Sequence, residues 1–145
     1  MSQENVEIVR SLFEPMDGID VAAIDWDAEA IRELLGHAYS SEIEITLLPG
    51  VASGLDSSYR GLDGLVRYLR AWLEPFSEYR VQNLDYIEAG ECVLVPSSQW
   101  GVGGGSGARV TIDLTTLYEL RDGKITRIHQ YETLGEAFDA VGLRD

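Results

Sequence analysis

Residues 109–133 read Arg-Val-Thr-Ile-Asp-Leu-Thr-Thr-Leu-Tyr-Glu-Leu-Arg-Asp-Gly-Lys-Ile-Thr-Arg-Ile-His-Gln-Tyr-Glu-Thr, and no other stretch of the chain restricts its fold as tightly. Two alternating runs flank Asp122-Gly123, a dipeptide that marks a hairpin turn. In the first arm Val110, Ile112, Leu114, Thr116, Tyr118 and Leu120 share one face, because successive strand residues point to opposite sides. A row that is apolar except for a hydroxyl and a phenol suits the wall of a pocket. The facing of the second arm depends on the turn. A two-residue turn at Asp122-Gly123 sets His129 opposite Thr116, on the pocket face; a three-residue Arg121-Asp-Gly loop with a glycine bulge sets Ile128 there, with Gln130 inward and His129 outward.

Periodicity places the remaining elements. Val6, Val9, Phe13 and Met16 form one stripe of a first helix over 2–17, with Ser2 as N-cap and Gly18 after its end. A second helical segment lies between Asp20 and Tyr39, where Asp25 and Asp27 can break or restart it. Residues 41–48 alternate as a half-buried strand with Ile43, Ile45 and Leu47 on one side, ending at Pro49-Gly50, and 50–58 read as a loop. Leu62, Leu65, Val66, Leu69, Trp72, Leu73 and Phe76 trace the apolar face of a third helix. Strands follow over 78–88, 92–102, 109–120 and 124–133. Thr133-Leu-Gly-Glu136 has capping-box spacing and opens a short last helix. Helices first and hairpins after give an α+β fold, a curved antiparallel sheet wrapped around helices in one domain over 1–145.

Composition narrows the partners. With 25 acidic against 11 basic residues the formal charge is −14, and such a surface repels phosphate, so neither nucleic acid nor an anionic membrane is an expected partner. One cysteine, Cys92, cannot form an internal disulfide, and with two histidines no zinc-type cluster is spelled out. No metal or other cofactor is expected. The opening Met1-Ser2-Gln3-Glu4 has neither the basic start nor the apolar run of an export signal, so a cytoplasmic location is expected.

The opening Gln3-Glu-Asn-Val-Glu-Ile-Val-Arg-Ser-Leu-Phe13, the Tyr59-Arg-Gly61 before the third helix, and Leu120-Arg-Asp-Gly-Lys-Ile125 together resemble the SnoaL-like branch of the nuclear-transport-factor-2-like superfamily. The resemblance spans essentially the whole chain. It implies a cone-shaped α+β barrel with a deep pocket between sheet and helices, often dimeric through the sheet. Relatives include polyketide cyclases, ketosteroid isomerases and limonene epoxide hydrolases, so fold alone does not select a reaction.

The family's catalytic positions, carried over one at a time, hold other residues here. The isomerase tyrosine on the first helix falls on Leu12, and the base near the end of the first strand on Thr46 or Leu47. The acidic donor, or the SnoaL-type aspartate, falls on Thr116. The two aspartates of the epoxide hydrolases fall near Gln99 and Gln130, and an amide cannot exchange a proton near neutral pH. Asp113 alternates to the opposite face from Thr116 and reads as a solvated outer aspartate. His129 reads as a sheet histidine at the rim or the dimer face. Tyr39 and Tyr68 read as rim phenols, and Trp100 as either a pocket or a sheet-contact residue.

The expected function is therefore binding of a mostly apolar organic molecule by Trp72, Gln99, Thr116, Tyr118 and Gln130, with no catalytic residue assigned. Two rivals stand beside it. One is a cofactor-independent cyclase, isomerase or hydrolase with His129 or an inward Glu44 as base. The other is a protein-interaction module or homodimer on the outer sheet face, where Leu117 and Ile125 would break a polar surface.

Overall fold

The computed structural model describes residues 2–48 and 55–142. The side chain of Ser2, the expected cap, the strand end at Pro49-Gly50 and most of the loop over 50–58 lie outside what the structure describes. Helix α1 (Ser2–Phe13) buries Val6 and Val9 and stops where Pro15 enters a 3-10 turn over Glu14–Met16, with Gly18 at φ 76° beyond it. The expected second helix is two pieces. A single 3-10 turn, Val21–Ala23, is capped by the Asp20 carboxylate, which accepts from Ala22 N–H. Asp25 accepts from Asp27 N–H, an Asx-type turn that interrupts the helical pattern. Only then does α2 (Glu29–Ala38) begin.

Strand β1 (Tyr39–Thr46) keeps the expected alternation, with Ile43, Ile45 and the following Leu47 buried and Glu44 exposed. A short edge strand, β2 (Ser58–Arg60), pairs with it inside what reads as loop; three residues are too few for periodicity to reveal. Helix α3 (Gly61–Leu73) buries Leu65, Val66, Trp72 and Leu73. The strand expected over 78–88 is two, β3 (Phe76–Asn83) and β4 (Ile87–Ala89), both paired to β5 (Cys92–Gly103). Pro96 explains the break. Its carbonyl accepts from Leu84 N–H, so its nitrogen points the same way and offers no proton to the facing chain. On its other side β5 runs with β6 (Arg109–Arg121) in unbroken register.

Strand β7 (Lys124–Tyr131) closes the hairpin and also pairs in parallel with β1, so the open sheet is mixed, in the order β2-β1-β7-β6-β5-β3. Its concave face packs on α1 and α3. The last helix, α4 (Leu134–Val141), carries the expected Thr133/Glu136 capping box and lies on the opposite face. There Leu134 and Phe138 cover Leu94 and Leu117. Leu117 is thus fully buried by the chain's own helix, and Ile125 belongs to the concave core. Neither residue breaks an exposed outer surface, which corrects the apolar patch expected there.

Candidate functional site

The hairpin settles which side chains enter the concavity. Arg121 pairs with Lys124, leaving a two-residue turn in which Asp122 and Gly123 have φ of 54° and 81°, the left-handed pair that a type I′ turn requires. Such a turn alone would turn His129 inward. Between Glu119–Arg127 and Leu120–Ile125 the register shifts by one residue, so Thr126 is an extra, bulged residue on β7. Its hydroxyl donates to the Glu119 carbonyl at 3.1 Å. Past the bulge Gln130 stands opposite Thr116, Ile128 opposite Tyr118, and His129 faces out. Turn and facing therefore come from the two different alternatives, reconciled by a bulge within the strand.

Between the concave sheet and helices α1, α2 and α3 lies a cavity of about 830 Å³, within the range of small-molecule sites, roughly 300–1,000 Å³. Trp72, Gln99, Thr116, Tyr118 and Gln130 all line it. Trp72 comes from α3 and is edge-on to Tyr68 at 6.0 Å and to Tyr79 at 6.5 Å. Tyr118 lies against Phe13 of α1 at 5.0 Å. Leu12, Leu65, Leu69 and Ile128 supply aliphatic wall.

Two tyrosine–glutamine pairs hold the polar part of the lining. Tyr79 donates from its hydroxyl to Gln99 Oε1 at 2.7 Å, Gln99 Nε2 donates to Ser97 Oγ at 3.1 Å, and Ser97 donates to the Leu114 carbonyl at 3.4 Å. Across the cavity Gln130 Oε1 accepts from Leu48 N–H at 3.0 Å, and Gln130 Nε2 donates to the Tyr68 hydroxyl oxygen at 3.4 Å. Burial pushes the Tyr79 phenol up to about 12. Tyr39, Tyr68 and Tyr118 are raised further, first by burial and then by neighbouring phenols. All four stay protonated at neutral pH.

Tyr39 corrects its reading as a rim group, since it is buried where β1 starts, whereas Tyr68 is half-buried with its hydroxyl turned inward beside Gln130. Sequence reasoning missed Tyr79 and Ser97. A signal for Tyr79 was present: a Cβ on Gly101 would come within 2.6–2.9 Å of the Phe76 and Tyr79 rings, and a glycine inside a strand marks such close approach.

The candidate acid–base groups stand elsewhere. His129 stacks on Tyr131 at 4.5 Å on the outer face, its pKa lowered by burial and by the Arg127 guanidinium. Glu44 faces solvent and pairs with Arg60 at 2.7 Å, and Asp113 is exposed as expected. Neither base of the rival enzyme reading points inward. Trp100 is an outer-face residue, with the Arg80 and Arg109 guanidinium groups at 5.8 and 4.1 Å from its ring. Glu7, Asp17 and His37 reach the cavity only at its exposed mouth. Among the described residues no cluster of His, Cys, Asp or Glu could hold a metal ion, and no helix is long and apolar enough to cross a membrane.

A helix-backed, open mixed sheet around a deep apolar cavity defines a fold of the nuclear-transport-factor-2-like kind. The sequence model of the SnoaL-like domain matches residues 9–128, so the chain belongs to the SnoaL-like family. Its fold is shared with a protein assigned as a SnoaL-like polyketide cyclase from Jannaschia sp. CCS1 (19% identity, 99% of this chain and 94% of that one, TM-score 0.69). Similar too are TerC, crystallised with polyporic acid (21% identity, 95% and 98% covered, TM-score 0.66), and SalBIII, an epoxide hydrolase/cyclase-like enzyme of pyran ring formation in the polyether salinomycin (18% identity, 93% and 96% covered, TM-score 0.62). No curated protein matches the sequence.

Proposed function

We propose that this chain binds a mostly apolar organic molecule of polycyclic or polyketide size in the cavity, contacted by Trp72, Gln99, Thr116, Tyr118 and Gln130. One observation carries the reading. The interior wall presents aliphatic and aromatic carbon with phenols, amides and hydroxyls, and among the described lining residues every carboxylate and imidazole sits at the exposed mouth. Apolar burial supplies affinity in such a site, and a few fixed polar groups set orientation. The test is thermal unfolding against a panel of neutral polycyclic aromatics and their charged analogues. A ligand at a hundred times its Kd should add about 2.7 kcal/mol of stability. Leu69→Trp, which fills the cavity from α3, should fold and abolish the shift. A panel without any stabilising member, or a Leu69→Trp variant that binds as tightly as the parent, sinks the proposal.

A cofactor-independent cyclase, isomerase or hydrolase is the second reading. Four phenols held protonated by burial support it, because a neutral phenol can donate to a developing oxyanion. Its base would have to come from the exposed lining residues, of which Glu7, Asp17 and His37 are titratable.

A further inference from the structure

Helix α2 buries none of its 10 residues, whereas α1, α3 and α4 each seat at least one. Its Ile31, Leu34, Leu35 and Ala38 have the spacing of a single apolar stripe, and that stripe lines the cavity. Leu35 and Ala38 also pack on the concave core, whereas Leu34 is 63% exposed. The second half of the helix is therefore docked, and the first half overhangs the mouth.

The two ends are held differently. At the C-terminal end Lys124 Nζ donates to the Gly36 carbonyl at 3.0 Å. A Cβ on Gly36 would meet nothing nearer than the Leu62 side chain at 4.0 Å, and its φ is not positive. Neither packing nor backbone conformation demands glycine there, yet glycine loosens a helix interior relative to alanine. At the N-terminal end Ala28 supplies no side-chain cap, and the grip is electrostatic. Arg32 reaches Asp63 of α3 at 2.8 Å and Asp27 at 3.6 Å, and Arg70 of α3 holds Asp27 in turn at 3.2 Å. All four side chains are exposed, so the grip is weak enough to break and re-form, and salt screens it. Just upstream the chain is anchored, since Val21 is buried and the Trp26 indole N–H donates to its carbonyl at 3.2 Å. Movement is thereby confined to residues 28–35.

Resting on the pocket reading above, we infer that the first half of α2 is a lid over the cavity, hinged at Gly36 and latched by Arg32 to Asp63 and Asp27, which lifts to exchange ligand. Arg32 is not part of the cavity lining, so the latch sets how often the lid lifts and not what the ligand touches. Rates of exchange respond to it, and affinity does not.

Amide hydrogen exchange of the free protein and stopped-flow binding of pyrene, a neutral polycycle followed by its own fluorescence, test this on the parent, Arg32→Gln, Asp63→Asn and Gly36→Ala. Asp63→Asn leaves the lid's own sequence intact. In the free parent the amides of 32–35 should exchange about a hundredfold faster than those of 69–73 in α3. Arg32→Gln and Asp63→Asn should each speed the lid amides about fivefold, the upper end for an exposed ion pair. Gly36→Ala should slow them about threefold by stiffening the hinge. The α3 amides should not move, which also shows that the variants are folded. Association and dissociation of pyrene should change together by the same factors, leaving Kd within about twofold of the parent. The gap between the parent and Arg32→Gln should narrow as salt rises from about 0.02 to about 0.2 M. Lid amides as protected as those of α3, or unchanged by both latch substitutions, overturn the lid. A weaker Kd carried by dissociation alone overturns it equally, because Arg32 would then support the pocket wall. Pyrene binding to none of the four proteins counts against the pocket reading, while amide exchange still decides the lid.

Discussion

At the scale of single residues the cavity is organised by phenols whose protons are hard to remove. Of the seven tyrosines, Tyr39, Tyr68, Tyr79 and Tyr118 line the cavity and have raised pKa values, with Tyr79 at about 12. A folded-state pKa above the unfolded value of about 10 means that the native state holds more protons in alkaline solution. The stability this confers is fully present below about pH 10 and is lost as pH rises through the folded values. Absorbance at the phenolate band should therefore show these four tyrosines ionising together with unfolding, and their contribution to stability should be constant from neutrality to about pH 10 and fall above it. Four phenols that titrate near the free value in the native protein would contradict their burial. Much of this residue-scale arrangement was legible. Alternation alone put Thr116 and Tyr118 on the cavity wall, and helical spacing put Trp72 behind it. Tyr39 was misplaced, and the inward turn of the Tyr68 hydroxyl was missed, because a tyrosine at the start of a strand, or one step off an apolar stripe, reads as amphipathic; the width of the cavity, which sequence does not show, brings both hydroxyls inside.

At the scale of elements the decisive device is the bulge in β7. Asp122-Gly123 announced a tight turn, and the turn is tight, yet parity along β7 is reversed at Thr126. No residue type signals a bulge of this kind as surely as Asp-Gly signals a turn. Gln130 rather than His129 thus reached the interior for a reason periodicity could not supply. The bulge carries its own compensation, the Thr126 hydroxyl on the Glu119 carbonyl. Thr126→Val keeps the β-branched shape and removes that donor, so urea denaturation should show a loss of about 1 kcal/mol. A variant as stable as the parent would mean that water serves the carbonyl equally well. The division of the expected 78–88 strand has a similar origin: Pro96 stands on β5, and the break it causes falls on the partner strand rather than its own.

At the scale of the whole molecule, 25 acidic residues against 11 basic ones give a charge of −14 spread along the chain. The ion pairs at the surface are exposed, such as Arg32 with Asp63 and Arg60 with Glu44, and contribute little each. Net repulsion dominates, so added salt at neutral pH should raise the unfolding midpoint by screening it, the more so at low ionic strength. A midpoint that falls with salt would show that the pairs outweigh the repulsion. The architecture was readable from element order, but the parallel pairing of β1 with β7 was not, since the two lie about eighty residues apart and neither carries a mark of its partner. The clamp on Gln130 has one further consequence. Glutamine and glutamate codons differ by a single nucleotide, and the backbone N–H of Leu48 and the phenol of Tyr68 would hold a carboxylate where they now hold an amide. On the function proposed above, binding and proton abstraction would thus be neighbouring states in this cavity's mutational landscape, and a lineage could cross between them without rebuilding the wall.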